Sequence, residues 1–152
     1  MSLTNIFDLA GSGMSAQSVR LNTTASNIAN AETASSSIDA TYKARKPVFA
    51  AIHQGYMERN GIQGSTSAGL FPERLESKGV EVKAIVESDA ELQKRYQPWH
   101  PLANDEGYVL YPNVNVVEEM ADMLSASRGF QTNVEVMNTA KTMLQRVLTL
   151  GQ

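Results

Sequence analysis

Large apolar side chains recur every seven residues at both ends of the chain. Near the N-terminus, Phe7, Met14, Leu21 and Ile28 form one row. Leu3 and Ala10 begin a second, which Gln17 and Thr24 continue with polar side chains. Such an a/d seam over about three heptads predicts a helix. It should end near Asn30, before the serine-rich stretch 34–37. Near the C-terminus, Val116, Met123, Phe130, Met137 and Leu144 form one row, and Met120, Ser127, Val134, Lys141 and Leu148 another. Pro112 precedes this second helix. Asn115 is placed to cap it, with Glu118 three residues on as a capping-box partner, and Gly151 is a natural stop. About 34 residues would span roughly 50 Å. Gly11 and Gly13 each weaken the first helix by about 1 kcal/mol relative to alanine. Gly129, inside the second, either allows a close backbone approach or is simply tolerated.

The intervening chain has a different pattern. Tyr42, Ala44, Val48, Ala50 and Ile52 roughly alternate, and Pro47 restricts that strand to a sheet edge. Val80, Val82, Ala84 and Val86 alternate with Glu81, Lys83, Ile85 and Glu87, the mark of a half-buried strand. Asn60-Gly61 is a turn signal, residues 64–69 read as a loop, and Tyr108 to Tyr111 as a short extended piece. All five prolines and eight of the ten aromatic residues lie in this part. The expected fold is mainly α with a small β-rich middle: residues 1–37 a helix, 38–112 strands and turns with a loop near 54–77, and 113–152 a second helix. The two terminal helices are expected to pair as a coiled coil.

Composition narrows the function. Leu, Ile, Val and Phe number 34 of 152 residues, close to the level at which chains stop folding alone. A net charge of −3 argues against a nucleic-acid binder built on phosphate neutralisation. Without cysteine there is no disulfide framework, thiolate metal site or thiol nucleophile. No apolar run approaches the roughly 18 residues of a membrane span. The start, residues 1–15, lacks the basic and apolar regions of a cleavable secretory signal.

Nothing in the chain assembles a catalytic pattern. His53 and His100 are isolated, and Ser12 between two glycines has no preceding strand. Glu118 and Glu119 are adjacent on a helix and point in different directions. Asn22-Thr23-Thr24 matches a glycosylation sequon by chance on a helix. No catalytic, cofactor-binding or metal-binding residue is expected, and no small-molecule substrate. The faces opposite the seams are rich in Ala, Ser, Thr, Asn and Gln rather than Lys and Glu. Such faces suit close packing on neighbouring subunits, so assembly is expected over a monomeric bundle.

Several segments carry a family likeness: Asn5-Ile6-Phe7-Asp8, Ala16-Gln17-Ser18, and Ala25-Ser26-Asn27-Ile28-Ala29-Asn30-Ala31. The stretch from His100 to Val109 runs into Pro112-Asn113-Val114-Asn115-Val116-Val117-Glu118-Glu119-Met120. Then come Ser125-Ala126-Ser127-Arg128, Asn133-Val134-Glu135-Val136, Asn138-Thr139 and Leu148-Thr149-Leu150-Gly151. Together these resemble the bacterial flagellar rod and hook axial proteins, in particular the proximal-rod type. Residues 54–77 depart from that pattern and look like an insertion in a surface loop. The resemblance implies a structural, non-enzymatic subunit of the periplasmic rod of the basal body. Its terminal helices would form the inner tube around the export channel, with the middle segment outside. It would be exported by the flagellar type III apparatus without signal cleavage. Its partners would be other rod proteins and copies of itself. The expected assembly interface is Phe7, Met14, Leu21, Asn27, Ile28, Asn30, Val116, Met120, Met123, Phe130, Val134, Met137, Leu144 and Leu148. The asparagines at 22, 27, 30, 133 and 138 either fix register or cap the helices and face the channel. The competing assignments are another rod subunit and, outside the family, a helical export chaperone.

Overall fold

The computed structural model describes residues 3–53 and 77–150. The order is α1 (Leu3–Asn30), β1 (Arg45–His53), β2 (Ser77–Glu87), β3 (Gln93–Tyr96), β4 (Tyr108–Tyr111) and α2 (Val116–Leu150). Two terminal helices thus flank a small strand-rich middle made of two separate two-stranded sheets. The loop expected around 54–77, with its Asn60-Gly61 turn, and the Gly151 stop lie outside the described residues.

α1 and α2 pack against each other antiparallel. Gly13 sits beside Asn133, Gly129 beside Gln17, and Arg20 donates to Asp122 at 2.7 Å. Two glycines in one seam bring the backbones close. A Cβ on Gly13 would lie 2.8 Å from the Asn133 amide nitrogen, and one on Gly129 3.2 Å from the Gln17 side chain. Gly129 therefore serves close approach. Gly11 faces open space, so only its helix propensity counts. Gly11→Ala should stabilise the chain by about 1 kcal/mol. Gly13→Leu should force the helices apart and cost about 1–3 kcal/mol. Urea denaturation checks both signs.

The cap of α2 differs in one detail from the capping box. Asn115 Oδ1 accepts from the Val117 N–H at 3.2 Å, whereas the Glu118 carboxylate turns outward to Lys46 Nζ at 3.3 Å. A cation on β1 competes successfully with the backbone for that carboxylate.

β1 and β2 form an antiparallel hairpin lying on α1. Among the described residues each strand pairs along one edge alone, which accommodates Pro47. The expected alternation along β2 holds only for part of its length. Pairing passes from Val48↔Ala84 to Phe49↔Val82, so Lys83 is an extra residue. Such a bulge reverses the facing of the residues beyond it. Val80 and Val82 are half-buried, but Ala84 and Val86 are exposed. Ile85 and Glu87 instead line a groove with Val19, Asn22 and Thr23 of α1.

β3 has no counterpart in the sequence pattern, because all four of its side chains are exposed and none alternate. It pairs with β4 through Gln93↔Tyr111 to Tyr96↔Tyr108. Tyr96 meets Tyr108 edge-on at 5.3 Å, and the Arg95 guanidinium lies 4.4 Å over Tyr111. The hairpin is tied to the end of α1 by reciprocal Ser35–Leu110 backbone bonds and by Arg95–Glu32. A small apolar cluster of Ala31, Ala44 and Val114, flanked by Tyr42 and Val116, closes the junction of helices and strands.

Candidate assembly surface

The seam between the helices is filled by small and polar residues. On α2 the buried row is Glu119, Ala126 and Ala140, with half-buried Asn133 between the last two. On α1 it includes Ala10 and Thr24, members of the row that the sequence continues with polar side chains. Among the described residues, Gln17 Oε1 and Glu119 Oε2 are buried with no hydrogen-bond partner. The sequence reading names Asn133 among the asparagines that could fix register, but misses Glu119, Ala126 and Ala140 as seam residues, since none of them is large and apolar. The seven-residue spacing that they share with Asn133 is the signal that could have found them.

The large apolar rows flank this seam. Phe7, Met14, Leu21 and Ile28 on α1 are half-buried, as are Val116, Met123, Phe130, Met137 and Leu144 on α2. The second α2 row is more open. Val134 is half-buried, but Met120 is 58% and Leu148 70% exposed. Other apolar side chains on α2 are also in solvent: Val117, Leu124, Val136, Met143 and Val147. The single chain brings the first rows together around the helix pair and leaves Met120 and Leu148 outside it.

Two asparagines fasten the strands to the helices. Asn27, with no exposed area, donates from Nδ2 to the Arg45 carbonyl at 2.8 Å. Its Oδ1 accepts from the Arg45 N–H at 2.9 Å and the Tyr42 hydroxyl at 2.8 Å. Asn113 accepts from the Ala44 N–H at 2.8 Å and donates to the carbonyls of Ser88 and Ala90. Residues 42–45 are thus gripped from both sides. Asn30 donates to the Ser26 carbonyl at 2.8 Å, a local bond along α1. Asn22 and Asn138 are exposed.

The remaining chemistry is sparse. His100 Nδ1 accepts from the Leu102 N–H, a turn contact. Thr23, in the sequon, is buried and donates to the Val19 carbonyl. Among the described residues no three His, Asp or Glu side chains converge as metal ligands, and no helix is long and apolar enough to cross a membrane.

Helices at both ends, strands between them and apolar rows left open describe an assembling subunit. Its two ends match known families: residues 7–34 the flagella basal body rod protein family, and residues 105–150 the C-terminal region of the flagellar basal body rod FlgEFG proteins. The chain is 43% identical to the flagellar basal-body rod protein FlgC of Escherichia coli O157:H7 and 42% identical to that of Salmonella typhimurium, over the whole of both chains in each case. It is 32% identical to FlgC of Borreliella burgdorferi, over all of this chain and 99% of the relative. The chain belongs to the FlgC family of flagellar basal-body rod proteins.

Proposed function

We propose that this structural rod subunit builds the periplasmic proximal rod, stacking helically on copies of itself and on other rod proteins. The terminal segments, 1–37 and 113–152, pair as a coiled coil in the inner layer around the export channel, and 38–112 lies outside them. The chain reaches the rod through the flagellar type III apparatus without signal cleavage, and it performs no catalysis. The observation that carries the assembly reading is the apolar surface of α2. Val117, Met120 and Leu124 are 77%, 58% and 55% exposed, and Met143, Val147 and Leu148 57%, 61% and 70%. A monomer rarely keeps such apolar groups near both ends of one helix in water, whereas a subunit covers them with neighbours.

A charge at one of these positions separates assembly from folding. Leu21 and Leu144 are half-buried within the chain, so lysine there would disturb both. Met120→Lys leaves the single chain intact but must bury an unpartnered ammonium in the rod, which costs several kcal/mol per subunit. The variant should be secreted and folded like the wild type yet be absent from purified basal bodies, and motility should be lost. Normal incorporation would remove this face from the interface.

A further inference from the structure

The chain has seven methionines and no cysteine, so its sulfur chemistry is that of thioethers. Met1 and Met57 lie outside the described residues. The other five divide by exposure. Met14, Met123 and Met137 are half-buried beside the helix seam, whereas Met120 is 58% and Met143 57% exposed. Both exposed thioethers are on α2, one towards each end. Met120 lies between Val117 and Leu124, which are 77% and 55% exposed, each about one turn away along the helix. Met143 walls a cleft of 390 Å³ with Ile6, Val136 and Ala140. Each of the two side chains is therefore open to a small solute while standing in an apolar patch.

Thioether oxidation follows access, and a peroxide performs it without a catalyst. The sulfur lone pair attacks one peroxide oxygen. An S–O bond forms as the O–O bond breaks, and the second oxygen leaves as water. Sulfur gives up two electrons and the peroxide gains them. The product is a polar sulfoxide in place of an apolar side chain. In the single chain this costs little, because water reaches the new oxygen. Beneath a neighbouring subunit the same oxygen would be buried on a patch shaped for apolar contact, without a donor to meet it.

We propose that Met120 and Met143 are sites of peroxide oxidation in the unincorporated chain, and that a sulfoxide at Met120 keeps the chain out of the rod. The second half rests on the rod reading above. The device acts in one window. Before incorporation both thioethers are open, whereas in the rod the neighbour that covers Met120 also shields it. Enzymatic reduction of the sulfoxide restores the apolar side chain, so the exclusion is reversible.

Hydrogen peroxide is the probe. In the purified, folded chain it should convert Met120 and Met143 to sulfoxide at least about fivefold faster than Met14, Met123 and Met137. Peptide mass spectrometry reads the rates, with fragment ions separating Met120 from Met123. Equal rates at the five positions would overturn the assignment of the two sites. The oxidised chain should keep the urea midpoint of the untreated one. A lowered midpoint would overturn the exclusion step, since unfolding would then account for it. In cells, the chain is isotope-labelled before the other rod proteins are induced, so that no copy is yet covered. A peroxide pulse is ended with catalase, the other rod proteins are induced, and basal bodies are purified. Labelled chain with sulfoxide at Met120 should be depleted there by at least about tenfold relative to labelled chain outside them. Its entry in proportion to its share would overturn the exclusion. The rod reading fails separately. Normal incorporation of Met120→Lys would remove that reading, whereas exclusion of Met120→Lys together with entry of the sulfoxide chain would remove this proposal alone.

Discussion

Asn27→Ala should destabilise the chain by about 3 kcal/mol, the sum of its lost hydrogen bonds and of the backbone groups left without partners in a buried place. The Arg45 N–H and carbonyl both bond to this one side chain, and Tyr42 loses the acceptor nearer its hydroxyl. Asn27→Asp should be nearly as harmful, because a carboxylate cannot donate to the Arg45 carbonyl. Urea denaturation gives the loss, and hydrogen exchange should show faster exchange at residues 42–45. Asn22→Ala, at an exposed position of the same helix, should stay within about 0.5 kcal/mol of the wild type. If Asn27→Ala behaved like Asn22→Ala, the junction would be held by its apolar cluster alone.

Gly79→Ala should cost about 2–4 kcal/mol through two separate effects. At φ +140° a side chain is strained. The added Cβ would also collide with the Ser12 hydroxyl, which donates to the Leu9 carbonyl at 2.9 Å and accepts from the Val80 N–H at 3.2 Å. Relieving the collision by Ser12→Ala should recover only part of the loss, since the backbone strain remains. Full recovery in the double variant, measured by thermal unfolding, would assign the whole effect to the collision.

The two helices are legible in the sequence because a seven-residue period survives wherever one face is apolar. The identity of their shared seam is not. Positions 119, 126, 133 and 140 carry Glu, Ala, Asn and Ala, so the tightest contact is made where hydrophobicity is lowest. Close approach needs small side chains, and a search for large apolar ones selects the flanks. The alternation in β2 holds up to Lys83, where one extra residue inverts the facing; nothing local in the sequence marks that bulge. β3 has no apolar signal, being held by backbone pairing and by the contacts of Tyr96 and Arg95 with the rings of Tyr108 and Tyr111 on β4. Asn27 is expected from its pattern at the assembly interface, yet its partners are the backbone and hydroxyl of a segment 15–18 residues away. An irregular connection such as 31–44 hides that pairing from any periodic pattern. Trp99 has one local sign, the proline-flanked stretch Gln97-Pro98-Trp99-His100-Pro101, which reads as a stiff turn without revealing that its ring faces water.

Two contacts of the β1–β2 hairpin with α1 lie far apart along the helix, Gly79 against Ser12 and Arg45 against Asn27. Fifteen residues of helix separate these contacts, roughly 22 Å along the axis. In mechanical terms the hairpin is a beam pinned near both ends, not a cantilever fixed at one root. A sideways push on such a beam reaches the helix as two opposed forces about 22 Å apart, hence as a turning moment. Ser12, whose hydroxyl accepts from the Val80 N–H, and Asn27, which binds both backbone groups of Arg45, are the residues through which that moment would pass into α1.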